Sequence, residues 1–166
     1  VRGAVVTGRA ERPFVVPVAA LRRRAGSTER VVLEGVIEEL AVTGSEVPAG
    51  SVVRLDAVLE AVSGGVLVRG RVHASWRGAC RRCLEPVVGE LAGEVDELCL
   101  DVPDEEHYEA GREALDLEPL VHDACILALP LAPLCAPGCR GLCVWCGANL
   151  NLGPCGCGEQ GPAGAG

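Results

Sequence analysis

Eight cysteines occur in pairs whose spacing suits metal coordination. Near the C-terminus the chain reads Cys135-x3-Cys139-x3-Cys143-x2-Cys146, then Gly147-Ala148-Asn149-Leu150-Asn151, then Cys155-x-Cys157. The pair Cys80-x2-Cys83 lies about half a chain upstream. Thiolates two or three residues apart can turn their sulfurs toward one ion, and tetrahedral zinc takes four at about 2.3 Å. Eight thiols therefore predict two zinc ions. One site reads as local: Cys143, Cys146, Cys155 and Cys157, closing a loop around Asn149-Leu150-Asn151. The other joins distant parts of the chain: Cys80, Cys83, Cys135 and Cys139. The competing chemistries are disulfides and a redox dithiol at Cys80-Arg81-Arg82-Cys83, whose neighbouring cations would lower a thiol pKa. Short paired spacings without secretory features favour metal, and the dithiol lacks the βαβ pattern of thioredoxin-like proteins. Cys99 and Cys125 stand apart on apolar faces and read as packed thiols.

No other constellation points to catalysis. His73, His107 and His122 are far apart in sequence and adjoin no Ser or Cys arrangement of the triad kind. No glycine-rich phosphate loop is present. The expectation is a protein that is not an enzyme and has no small-molecule substrate.

The elements that must position the thiols are mostly strands. Residues 52–62 alternate, with Val53, Leu55, Ala57 and Leu59 on one face. Ser63-Gly64-Gly65 reads as a hairpin turn. Residues 66–76 alternate again, with Val66, Val68, Val72, Ala74 and Trp76 inward. Residues 80–86 then read as a zinc knuckle at a hairpin tip, and 87–100 as the returning strand. Upstream, 14–18 reads as an edge strand or lead-in, 18–24 as one or two helical turns stopped by Gly26, and 31–42 as a strand interrupted at Gly35. Residues 43–51 read as a turn region. Downstream, acidic 101–116 reads as a mobile loop, and 117–129 as a helix ended by Pro130 and Pro133. The expected fold class is α+β: a mainly antiparallel sheet with one or two short helices and a zinc-bound, Cys-rich C-terminal extension. The expected division is a β-rich domain at 1–130, a zinc-binding extension at 131–157 packed on the 80–83 knuckle, and a disordered tail at 158–166.

Composition fits this plan. Hydrophobic residues make up 49% of the chain but aromatics only 2%. An aliphatic core of Val, Leu and Ala buries less area per residue than rings do, so a metal staple would help it. No stretch approaches the roughly 18 apolar residues of a membrane span, so no membrane is expected, and the cytoplasm is the expected compartment. Charge is segregated: thirteen Arg stand against eight acids through Leu84, and one Arg against fourteen acids from Glu85 to Asp123. Arg69, Arg71, Arg77, Arg81 and Arg82 form a basic hairpin, a candidate RNA-binding surface. The plainer reading is a solvated strand face, and Arg22-Arg23-Arg24 likewise reads as a solvated helix end. The acidic segment suits a basic protein partner or simply solubility.

The residues also match a known pattern. Pro13-Phe14-Val15, Leu21-Arg22-Arg23 and Val47-Pro48-Ala49-Gly50 come first. Then follow Leu59-Glu60-Ala61-Val62, Gly65-Val66-Leu67-Val68-Arg69-Gly70 and Cys80-Arg81-Arg82-Cys83-Leu84-Glu85-Pro86. Asp116-Leu117-Glu118-Pro119, Leu129-Pro130-Leu131 and Cys139-Arg140-Gly141-Leu142-Cys143-Val144-Trp145-Cys146-Gly147 complete it. In these blocks the chain resembles the YceD family, the large ribosomal RNA subunit accumulation proteins, and especially its high-GC Gram-positive members. The resemblance implies a β-rich domain with a non-enzymatic role in accumulation of large-subunit (23S) ribosomal RNA and ribosome assembly. The implied partners are that RNA, ribosomal proteins or a pre-ribosome. Many relatives carry His-x-His where this chain has Cys155-Gly156-Cys157, a replacement of one ligand pair by another. The alternatives from other classes are a zinc-based thiol redox switch and a protein-binding scaffold.

Overall fold

Alternating valines and leucines build the molecule around two long hairpins. The computed structural model describes residues 12–38 and 40–159. Its elements are β1 (Val15–Pro17), a 3-10 turn (Leu21–Arg23), β2 (Thr28–Val36), β3 (Leu40–Ala41), β4 (Ser45–Val47), β5 (Val52–Val62), β6 (Gly65–Ala79), β7 (Pro86–Leu100), β8 (Ala114–Asp116), α1 (Glu118–Ala128) and a last 3-10 turn (Gly156–Glu159). The described residues are therefore mostly antiparallel sheet with one α-helix. Strand β6 is the spine of the six-stranded sheet. It pairs with β7 along its whole length, from Gly65↔Leu100 to Ala79↔Pro86. On its other edge it pairs with β5 and, nearer its end, with β4; β2 and β3 complete the sheet.

Period-2 patterning sends one set of side chains inward. Val53, Leu55, Ala57, Leu59 and Ala61 of β5 meet Val66, Val68, Val72 and Ala74 of β6, and Leu91, Val95 and Cys99 of β7 in one buried cluster. The small antiparallel pair β1–β8 and the helix contribute Phe14, Val16, Leu115, Leu120, Val121 and Cys125 to the same cluster. Pro119 opens α1, where the Glu118 amide donates to the Asp116 carboxylate at 3.0 Å. The helix ends where Leu129 turns extended before Pro130. It can lie close to the sheet because Gly93 faces it: a Cβ there would stand 2.5 Å from the Ala124 carbonyl oxygen.

Five expectations need correction. Gly35 does not interrupt its strand; it pairs with Val53 inside β2, and a Cβ there would strike Pro13. The strand expected through 42 ends at Val36. The region expected as a turn, 43–51, contains β4, and the expected loop at 101–116 contains β8 and the fully buried Ala110 and Leu115. Arg22 is not a freely solvated helix end, because it bonds the Asp101 carboxylate and the Gly111 carbonyl. Of the expected disordered tail at 158–166, residues 160–166 lie outside the described residues, as do 1–11 of the N-terminal arm.

Candidate metal centre

Because β6 and β7 are each fifteen residues long, their turn stands at the far end of the hairpin and carries six residues, Cys80 through Glu85. The Cys80 amide donates to the Glu85 carbonyl at 2.8 Å, and the Leu84 amide to the Cys80 carbonyl at 2.8 Å. Leu84 takes the left-handed conformation, φ 63°. The extension repeats this turn. The Cys143 amide donates to the Ala148 carbonyl at 2.8 Å, and the Gly147 amide to the Cys143 carbonyl at 2.9 Å. Gly147 holds the left-handed place, φ 73°. The pairing Leu142↔Asn149 frames the second turn as Ala79↔Pro86 frames the first. The sequence Cys-x2-Cys thus folds twice into the same knuckle.

The chain path brings the thiols into two groups: Cys80, Cys83, Cys135 and Cys139, and Cys143, Cys146, Cys155 and Cys157. In each, the four sulfurs lie within 4.8 Å of one another. In the first group the Cys80–Cys139 sulfurs are 3.7 Å apart and the Cys83–Cys135 sulfurs 3.5 Å. A disulfide would hold them at about 2.05 Å. A tetrahedron with ligands at about 2.3 Å has edges of about 3.8 Å, so the spacing fits a four-thiolate metal centre. Cys80, Cys83 and Cys139 are buried, packed with Val87, Leu134 and Leu142 in a small apolar cluster separate from the main core. The second group is more open, with only Cys143 buried.

The surroundings of the sulfurs favour ionised thiols at chosen places. Burial would push Cys80 up, yet backbone amides of Cys135, Cys83 and Arg82 point at its sulfur and bring it down to about 6. Amides of Cys146 and Trp145 do the same for Cys143, also to about 6. Cys135 is pushed up to about 12 by its thiol neighbours Cys139 and Cys83, and Cys157 to about 12, chiefly by Cys146. Four crowded thiols resist full ionisation until a cation offsets their charge, which is the linkage between metal binding and proton release.

Sequence reasoning passed over Asn151. Its amide donates to the Cys139 sulfur at 3.3 Å, while its carbonyl oxygen accepts from the Arg140 amide at 2.7 Å. Its neighbour Asn149 reaches Glu85 on the first knuckle at 3.3 Å. The loop that closes the second group thus also braces the first, and the Asn-x-Asn spacing between the cysteine pairs was the available signal. Further ties run from the Arg81 amide to the Pro133 carbonyl at 2.9 Å, from the Leu142 amide to the Arg82 carbonyl at 3.1 Å, and from the Arg82 guanidinium to the Cys139 carbonyl at 2.9 Å.

The five hairpin arginines divide into two kinds. Arg69 faces Asp96 at 3.0 Å, Arg71 faces Glu94 at 3.1 Å, and Arg77 pairs with Glu46. Arg81 and Arg82, in the knuckle, have no carboxylate at ion-pair distance among the described residues, and neither does Arg140. Cys99 and Cys125 are buried in the core, where desolvation pushes both thiols up to about 11. His107 and His122 contact Asp104 and Asp123, and no histidine joins either thiol group among the described residues. No helix there is long and apolar enough to cross a membrane.

The family model for the large ribosomal RNA subunit accumulation protein YceD matches residues 68–163, from β6 through both thiol groups. An uncharacterized protein of Mycobacterium tuberculosis is 40% identical over 154 residues, covering 86% of this chain and 73% of its own length. An uncharacterized protein of Mycobacterium leprae is 34% identical over 155 residues, covering 86% and 70%. A Zea mays protein named large ribosomal RNA subunit accumulation protein YCED homolog 1, chloroplastic, is 38% identical over 52 residues, covering 31% of this chain and 18% of its own. No solved structure matches the chain.

Proposed function

Because this chain belongs to the YceD family, we propose that it supports the accumulation of large-subunit ribosomal RNA. It does so as a non-enzymatic assembly factor in the cytoplasm, and its partner is that RNA or a pre-ribosomal particle. The observation that carries this reading is the family match across β6, β7 and the extension. In the same reading the eight thiols hold two zinc ions. Cys80, Cys83, Cys135 and Cys139 fasten the extension to the hairpin tip, and Cys143, Cys146, Cys155 and Cys157 shape the second knuckle. The metal supplies structure here, as a closed set of four thiolates leaves no open position for a substrate or water. Domain organisation follows from it: a β-rich body through 130, and an extension at 131–157 that depends on metal to stay docked.

Of the candidate RNA contacts, the reading favours Arg81 and Arg82, which have no carboxylate at ion-pair distance among the described residues. Arg69, Arg71 and Arg77 serve first as cross-strand ion-pair partners and present less net charge to a phosphate. The test is the ratio of large- to small-subunit ribosomal RNA in cells lacking the protein, with and without a complementing copy. A fall that the copy restores is the expected result; an unchanged ratio would overturn the reading.

One observation favours a protein contact as well. A groove of about 330 Å³ between α1 and β7 is lined by Glu94, Glu97, Asp123 and the exposed Leu127. Tyr108 closes its floor by donating to Asp123 at 2.6 Å. An acidic rim over apolar walls suits a basic partner segment. Pull-down of ribosomal proteins that survives ribonuclease would support this second contact, and its loss with ribonuclease would remove it.

A further inference from the structure

The aromatic residues of this chain are few enough to follow one by one. Phe14 is fully buried, and Trp76 and Tyr108 pack against the core. Trp145 alone is mostly in solvent, 69% exposed, beside Val144 at 89%. Both occupy the two positions between the cysteines of the second knuckle. These are the positions that Arg81 and Arg82 hold in the first. The knuckle fixes the Trp145 backbone, whose amide points at the Cys143 sulfur at 3.4 Å. The ring is therefore presented outward from a rigid turn, which lowers the entropy lost when something stacks on it.

Charge on the abutting knuckle segments has one sign in excess. The Leu142 amide bonds the Arg82 carbonyl, and Gly141 packs against the Arg82 backbone, so the two knuckles abut. Arg81, Arg82 and Arg140 lie on these abutting segments without carboxylate partners among the described residues. Glu85 is the acid on the first knuckle, and Asn149 engages it. An exposed indole on one knuckle, with guanidinium groups on the segments that abut it, matches the chemistry of an unpaired nucleotide, with a base face for stacking and phosphates for the cations. A duplex hides its base faces and offers only the phosphates.

Resting on the ribosomal-RNA reading above, we propose that the second knuckle is a single-strand RNA site in which Trp145 stacks on an unpaired base. Val144 widens the apolar contact, and Arg81 and Arg140 hold the flanking phosphates. The residues that face the nucleic acid are then at the hairpin tip, away from the sheet.

The test uses the zinc-loaded full chain and a labelled ten-nucleotide oligouridine, with the same strand in a duplex with oligoadenine. Single strand should bind and quench tryptophan emission, and the duplex should bind more weakly without quenching. Trp145→Ala should weaken single-strand binding about 5- to 150-fold, the cost of losing one base–aromatic stack, and Trp145→Phe should recover most of it. Arg81→Ala with Arg140→Ala should flatten the salt dependence by about 1.4 in log–log slope, two phosphate contacts on a single strand. Each variant is carried forward only if it keeps the wild-type zinc count and melting temperature. Unchanged affinity in Trp145→Ala would overturn the proposal, and so would equal binding of duplex, or quenching by an acidic peptide but not by RNA. The two readings fail separately. If loss of the protein lowers large-subunit RNA and Trp145→Ala restores it fully, the stacking site is wrong and the function stands. If the RNA ratio never falls, the function is wrong whatever the oligonucleotide does.

Discussion

Replacing Cys80 by Ser should release one zinc ion and the extension with it, while the sheet stays folded. Serine does not replace a thiolate at such a centre, so the first group is left with three ligands. The other ties between extension and hairpin can then be weighed. They are the Arg81–Pro133, Arg82–Cys139, Leu142–Arg82 and Asn149–Glu85 hydrogen bonds. At about 1 kcal/mol net each they sum to about 4 kcal/mol, and the partly buried Leu134 and Leu142 beside Val87 add about 1 kcal/mol each. Ordering a residue's backbone costs about 1–2 kcal/mol, so these ties hold only a few residues, and Cys135 through Leu142 are already eight. The docked state therefore requires the metal. Hydrogen exchange with zinc counting reads both outcomes. The Arg81, Cys139 and Leu142 amides should exchange at the rate of an unstructured peptide, and β5 and β6 amides should keep their protection. Zinc should fall from two to one per chain. A count that stays at two would show that Cys80 ligates nothing, and a count of zero would show that the two centres form one unit. As control, Cys125→Ser should keep two, because Cys125 is buried in the main core, away from both groups.

Two further outcomes follow from local geometry. Gly93→Ala would place a Cβ 2.5 Å from the Ala124 carbonyl and 2.8 Å from Val72. Since α1 must shift to relieve it, we expect a loss of about 1–3 kcal/mol, read as a fall in melting temperature of roughly 2–12 °C, whereas Gly138→Ala, with open space around it, should change nothing. At the first knuckle Leu84→Gly should be tolerated within about 1 kcal/mol, because release of left-handed strain offsets the added chain freedom. Leu84→Val should be worse, because a β-branched residue at φ > 0 is more strained still; a chelator titration of zinc release ranks the three, and Val equal to Gly would refute the equivalence of Leu84 and Gly147.

The long strands were legible because one face of the sheet is core and the other is water. That asymmetry forces the alternation seen in 52–62 and 66–76. Strands β4 and β8 are three residues each and have no such pattern. Ser45 belongs to β4 because Gly78 lies opposite it and its buried hydroxyl donates to the Pro130 carbonyl at 2.8 Å, partners that are distant in sequence. Gly35 looked like a strand breaker because a local reading does not include Pro13, which packs where its side chain would be. The thiols were conspicuous for a different reason. Ligand spacing within each Cys-x2-Cys turn is local chemistry, whereas the meeting of Cys83 with Cys135 depends on the full length of β7, the 101–116 segment and α1.

Charge shows the same contrast and leads further. In sequence the basic and acidic residues are segregated, but antiparallel pairing interleaves them. Arg69 registers against Asp96, Arg71 against Glu94, and Arg54 against Glu34. Arg69 and Arg71 meet carboxylates because the acidic run of β7 folds back along the basic run of β6, while Arg30, Arg54 and Arg77 find theirs across the β2–β5 and β4–β6 pairs. A turn residue has no cross-strand neighbour to do this. The knuckle cations without an ion-pair partner among the described residues, Arg81, Arg82 and Arg140, are therefore those that cross-strand pairing cannot reach. The topology that neutralises the sheet leaves positive charge on the knuckle segments, one of which carries the solvent-facing Trp145. A phosphate-bearing partner has more to gain at that tip than along the strands, even though the chain as a whole carries a net charge of −8.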